Sequence, residues 1–272
     1  MKNLITRTIF GLMFAIVMIG AIVLGAPTLS AVMVLVAMIG SWEWIRMHQH
    51  FLTSSDKLWV LGSTLGFYVV LATVALGIST AQYLALLIPL MLLPLLHALF
   101  SIRHKADSLM SLHWFSMLFV ALPAALMLFF YRGDYVGNQA GYTLLLLVIA
   151  FIWINDIFAY LVGIMIGKHR LFERISPKKS WEGSIGGLLF TLITALLVSR
   201  MTDFIPTTKA LWMAGIVVVT GSLGDLIESM IKRQANVKDS GSVIPGHGGI
   251  LDRFDAAFYA IPFVFVYLLM SR

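Results

Sequence analysis

Apolar runs of membrane-spanning length follow one another along the chain, separated by short polar breaks. Nine are predicted, at about 6–24, 28–46, 58–78, 82–101, 112–131, 141–166, 184–200, 209–231 and 256–270. Each is close to the roughly 20 residues that carry a helix across the hydrocarbon core. Backbone groups facing lipid must be satisfied within the span, so helices are expected, and the alternation of a transmembrane barrel is absent. The expected fold class is an all-α polytopic membrane protein with about nine transmembrane helices. The first run follows two positive charges, as in a signal peptide, but Ile9 to Leu24 is longer than a usual signal core and is read as a retained helix.

Charge orients this pattern. With the N-terminus in the cytoplasm, 15 of the 19 lysines and arginines fall in cytoplasmic segments. Only Arg132, Arg200, Lys209 and Arg272 fall outside, a strong positive-inside bias that puts the C-terminus outside. Composition agrees: 12% of residues are charged and 60% are hydrophobic, whereas a soluble chain is about a quarter charged. There is no cysteine, which excludes disulfides and thiolate metal sites. "GAP" at 25–27 forces a tight hairpin between the first two spans. No internal repeat stands out. Residues 1–131 read as scaffold helices. Residues 132–272, with long polar loops at 167–183 and 232–255, hold the candidates for chemistry.

Acids inside the sixth and eighth spans stand out. Asp156 sits in "FIWINDIFAY", and Asp225 and Glu228 in "GSLGDLIESMIKR". A carboxylate at the centre of a bilayer costs roughly 2.5–3.5 kcal/mol or more, so these groups should face protein or a wet cavity. Asp225, Glu228 and Ser229 share a helix face. Glu228 also stands four residues before Lys232, the better order for a helical ion pair, so it is read either as a structural partner of Lys232 or as a further metal ligand. Asp225 has no cation one turn away and is the stronger candidate for metal or substrate. Asn155 and Asp156 could instead form a hydrogen-bond node between helices. Gly221 and Gly224 suit close helix packing or close approach of a ligand.

The loop "GKHRLFERISPKKSWEG" is basic. Ser176 before Pro177 reads as an N-cap with proline at the first helical position, and such a terminus suits phosphate. Lys178, Lys179 and Ser180 add charge and a hydroxyl, although a basic loop that only meets anionic lipid headgroups would look similar. The 232–255 loop supplies Lys232, Arg233 and Lys238 for anions. Its "GSVIPGHGG" stretch includes Gly248 and Gly249 and lets the backbone lie close against a ligand. Asp252 and Asp255 follow at the start of the last helix, where acids also favour the helix dipole. A carboxylate set of Asp225 and Asp252 is hard and oxygen-rich, which suits Mg2+ held together with substrate phosphates. His247 lacks partners spaced for zinc and reads as a hydrogen-bond donor to phosphate. P-loop, dinucleotide and hydrolase motifs are absent. Cations and carboxylates at the face of a membrane site point to phosphoryl or nucleotidyl transfer onto a lipid.

The stretch "SMIKRQANVKDSGSVIPGHGGILDRFD", Ser229 to Asp255, resembles the signature of the phosphatidate cytidylyltransferases (CDP-diacylglycerol synthases). The fixed polar and glycine positions of that signature are filled by Ser229, Lys232, Arg233, Lys238, Asp239, Gly241, Pro245, His247, Gly248, Gly249, Asp252, Arg253 and Asp255. "SPKKSWEG" and "NDIFAYLVGIMIGK" resemble the family's neighbouring segments, so the likeness is detailed over about 150–260. It implies the reaction of CTP with phosphatidate to give CDP-diacylglycerol and pyrophosphate, in the inner membrane, with the site facing the cytoplasm. It further implies Mg2+ at Asp225 and Asp252, K+ as an accompanying second cation, a homodimer in the lipid bilayer, and no nucleic-acid partner. Asp255 and Glu228 stand as additional metal candidates.

On this reading a phosphatidate oxygen attacks the α-phosphorus of CTP in line. Lys178, Lys179, Lys232, Arg233, Lys238 and Arg253 are candidate phosphate ligands. Ser180, Asp239, Gly248, Gly249, His247 and Asp156 complete the expected binding surface. A CTP-dependent enzyme or lipid kinase with another acceptor fits the same residues. An anionic-lipid transporter would call for paired broken helices in corresponding halves, which the sequence lacks.

Overall fold

A computed structural model of the chain describes residues 2–48, 52–101, 106–136, 141–243 and 248–271, with side chains from Thr8 onward. Helices dominate. Eight among the described residues are long and apolar enough to cross a membrane, and they coincide with the second to ninth predicted segments. The apolar part of the first helix, Thr8–Val23, is shorter. The protein is therefore an all-α polytopic membrane protein apart from one small hairpin.

Two compact units divide the chain. The first comprises Met1–Tyr131 and Asp239–Phe254, the second Arg132–Lys238 and Asp255–Arg272. In the first, α1 (Lys2–Val23) turns into α2 (Ala26–Met47) through Gly25, whose φ of 111° is one that side-chain-bearing residues rarely adopt, with a proline at the start of α2. Then come α3 (Ser54–Ala75), α4 (Leu87–Phe100) and α5 (Ala106–Trp114). A π-helical stretch, Phe115–Ala121, carries α5 into α6 (Leu122–Phe129). Thr53 and Asp56 form a reciprocal capping box on α3. The core of this unit includes Met33, Val60, Leu109, Met117 and Met127, all fully buried. A buried polar chain also crosses it. Asp56 meets His97 at 3.0 Å, His97 meets His113 at 2.9 Å, and His113 meets Ser63 at 2.7 Å.

The second unit contains the short α7 (Gly133–Val136), then α8 (Tyr142–Ile166), a β-hairpin, α9 (Trp181–Met201), α10 (Thr207–Gln234) and most of α11 (Leu251–Met270). Its apolar interior includes Leu145, Val148, Phe151, Met213 and Phe258. Glycines set its helix spacing. A Cβ on Gly186 would strike the Val162 side chain, and one on Gly187 would strike Asn155, so α9 lies close along α8. A Cβ on Gly224 would meet the Asp255 carbonyl and Tyr259, so this glycine serves the packing of α10 on α11. The α10 helix ends at Asn236, whose φ of 55° is the left-handed stop that asparagine tolerates.

The basic loop departs from expectation. Ser176–Ser180 is not the start of a helix but β2, antiparallel to β1 (Arg170–Phe172). The N-cap is Ser180 rather than Ser176, and its Oγ accepts the N–H of Gly183 at 3.2 Å. The physical reason is pairing. Ser180 is held extended opposite Arg170, and the Trp181 N–H donates to the His169 carbonyl at 2.9 Å. Pro177 has no N–H to lose on a two-stranded ribbon, which has only edges. Glu182 ties the hairpin to the helix through the His169 ring at 2.6 Å.

Candidate active site

In the second unit, four elements bring charged side chains together. Asp225 on α10 receives the Lys179 ammonium of β2 at 2.6 Å and the Ser229 hydroxyl one turn on at 3.3 Å. Asp156 on α8 and Asp255 on α11 both feel the negative charge of Asp225, and Asp156 also feels Lys179. Lys232 pairs with Glu228 at 2.5 Å and lies within electrostatic reach of Asp255. Asp225 and Asp156 thus share a cation delivered by the hairpin, and Asp255 stands within electrostatic reach of both acids. Asn155 donates to Asp156 at 3.4 Å, a neighbour contact within one helix. Glu228 is buried with Lys232, so the structural pair foreseen for it forms. Ser180 caps α9, and Lys178, Arg233 and Lys238 are exposed.

The first unit holds the other half of the motif residues. The Asp252 Oδ2 accepts three bonds: from the Ser240 N–H at 2.8 Å, the Ser240 hydroxyl at 2.9 Å and the Gly249 N–H at 2.7 Å. Gly248 turns the chain with φ of 84° against the same carboxylate. Asp239 and Arg253 are exposed. His247 and Pro245 lie outside the described residues.

One acid in this unit escaped the sequence reading. Glu43 of α2 is 2% exposed. Its Oε1 accepts the Ile250 N–H at 2.9 Å, and its Oε2 accepts the Leu251 N–H at 3.0 Å and lies 3.1 Å from the Ser240 hydroxyl, whose single proton it shares with Asp252. Ser240 therefore joins Glu43 to Asp252. The signal was present in "SWEWIR": a lone acid within an apolar span obeys the same rule that singled out Asp156.

Among the described residues, no group of three or more His, Asp or Glu is arranged to cage a metal ion. Mg2+ needs only one or two carboxylates beside substrate phosphates. At Asp225 the donors are hard oxygens, the side chain is 37% exposed, and the Lys179 ammonium already stands in for a cation. These residues fit Mg2+.

A model of the Cytidylyltransferase family matches residues 5–271. A phosphatidate cytidylyltransferase of Staphylococcus haemolyticus is 31% identical over 270 residues, covering 97% of this chain and 98% of that protein. Proteins of the same name from Staphylococcus saprophyticus and Bacillus subtilis are 41% and 42% identical over shorter stretches. Those two alignments cover 50% and 48% of this chain, and the chain spans only 52% and 49% of the relatives' length.

Proposed function

The chain belongs to the cytidylyltransferase family, and on that premise we propose that it transfers the cytidylyl group of CTP to phosphatidate, releasing pyrophosphate. The observation that carries the reading is the unbroken motif from Ser229 to Asp255, embedded in a match that runs almost the whole chain. A phosphatidate oxygen forms the new bond to the α-phosphorus, and the bond from that phosphorus to the β-phosphate bridge breaks. The phosphate monoester is already anionic at neutral pH, so the step needs no strong general base.

The cations bind and orient the two anionic substrates. Lys179 reaches its place from the hairpin and exchanges Asp225 for phosphate when CTP arrives. Lys178, Lys232, Arg233, Lys238 and Arg253 supply further charge, with His247 and the Gly248 backbone as donors. Asp225 and Asp252 are the acids that would each offer a carboxylate to a metal. Mg2+ bound there, with K+ as a second cation, would screen the triphosphate and stabilise developing negative charge. Asp156 and Asp255 lie within electrostatic reach of Asp225, where a bound cation would relieve their mutual repulsion.

The proposal extends to placement. Nine spans with the N-terminus inside put both polar loops at the cytoplasmic face, where CTP is available, and the working form is a homodimer in the bilayer. The positive-inside charge distribution supports this orientation. Incubating purified protein with Mg2+, phosphatidate and in turn CTP, dCTP and ATP tests the activity. CTP-dependent pyrophosphate release is expected, and release without phosphatidate would contradict the assigned acceptor.

A further inference from the structure

The first unit contains a carboxylate that the proposed chemistry does not use. Glu43 lies on α2, 197 residues from Ser240 in the chain, yet it meets Ser240, Ile250 and Leu251. The two backbone N–H groups belong to the start of α11, where they have no intrahelical acceptor. Ile250 and Leu251 are buried, so water cannot replace Glu43. The segment before them is rich in glycine and therefore loses much conformational freedom when it is ordered.

The segment is also shaped around this one side chain. A Cβ on Gly241 or on Gly249 would run into the Glu43 carboxyl group. Ser240 places a single hydroxyl between Glu43 Oε2 and Asp252 Oδ2. Holding the segment thus holds Asp252: the same Ser240 and Gly249 that contact or flank Glu43 are the donors to Asp252. The two acids share one scaffold of donors, with Glu43 on the helix side and Asp252 on the loop side.

We propose that Glu43 is a positioning residue for the transfer reaction, fixing Ser240, Gly241, Gly249, Ile250 and Leu251 and through them the placement of Asp252. The inference rests on the proposed activity. Glutamine at this position keeps the volume but replaces one oxygen by NH2. Whichever way that amide turns, its NH2 faces a backbone N–H, of Ile250 or of Leu251.

The chain has no cysteine, so a single cysteine at exposed Ser242 can carry a nitroxide label that reports the order of the segment. In Glu43→Gln the label is expected to become more mobile. In the unlabelled variant kcat should fall about tenfold or more, within the roughly hundredfold that a 1 Å misplacement costs, while KM for CTP changes less. If Glu43→Gln does not fold, Gly241→Ala pushes on the same carboxyl group from the loop side and should give the same pair of changes. A label as immobile as in the parent protein, or a kcat within about twofold of it when a misplacement predicts far more, overturns the proposal. A parent protein without CTP turnover strikes down the activity instead, and label mobility still shows whether Glu43 anchors the segment.

Discussion

The acids of the two units are bonded in opposite ways. In the first unit, Glu43 and Asp252 accept from neutral, fixed donors: the backbone of Ser240, Gly249, Ile250 and Leu251 and one hydroxyl. In the second, Asp156, Asp225 and Asp255 lie within electrostatic reach of one another, and the main relief at Asp225 is a lysine on a flexible stem. Backbone donors cannot leave when a ligand arrives, whereas an ammonium can. The first arrangement therefore holds a shape, and the second stores charge that a metal or a phosphate can rearrange.

The largest test of this contrast is Asp225→Asn. It keeps the shape and removes the charge, so turnover should fall by about two to three orders of magnitude, the scale of losing one charge-stabilising group. The protein should still elute as a folded species in detergent, because Asp225 has no backbone to hold. A misfolded Asp225→Asn variant would place this acid with the shape-holding kind.

Lys179→Met sharpens the same point from the cation side. Turnover should fall about tenfold or more through a higher KM for CTP, as expected for a lost charge-assisted phosphate contact. Calorimetric titration of Mg2+ without CTP should show tighter binding than in the parent, since the competing ammonium is gone. Weaker Mg2+ binding would mean that Lys179 supports the metal rather than standing in for it.

Asp56→Asn probes buried polar bonding away from both acid groups. It disturbs the Asp56, His97, His113, Ser63 chain and the cap of α3. Thermal unfolding in detergent should show a loss of roughly 1–3 kcal/mol, the cost of leaving a buried polar partner unmatched, with KM for CTP unchanged. The smallest effect belongs to Arg132→Ala. Its pair with Asp134 is 31% and 57% exposed, so stability should move by less than about 1 kcal/mol.

Much of this was legible along the chain. Hydropathy located the spans because lipid forces backbone hydrogen bonds into helices and makes length diagnostic. Spacing offered the Glu228–Lys232 pair as one of two readings and put Ser229 on the face of Asp225, where the pair and a Ser229–Asp225 bond form. What depended on distant chain was not visible. Lys179 reaches Asp225 only because the SPKK segment pairs as a ribbon instead of starting a helix, a choice made by cross-strand bonds. Glu43 and Ser240 meet across 197 residues, and no local rule predicts that contact. The glycines of the polar loop were read as giving access to a ligand. Two of them, Gly241 and Gly249, also make room for the Glu43 carboxyl group.

The central claim is the transfer itself, and product analysis tests it most directly. Purified protein supplied with CTP labelled at the α-phosphorus, phosphatidate and Mg2+ should yield labelled CDP-diacylglycerol and an equal amount of pyrophosphate. Label found only in CDP, with the lipid phosphorylated in its place, would contradict it.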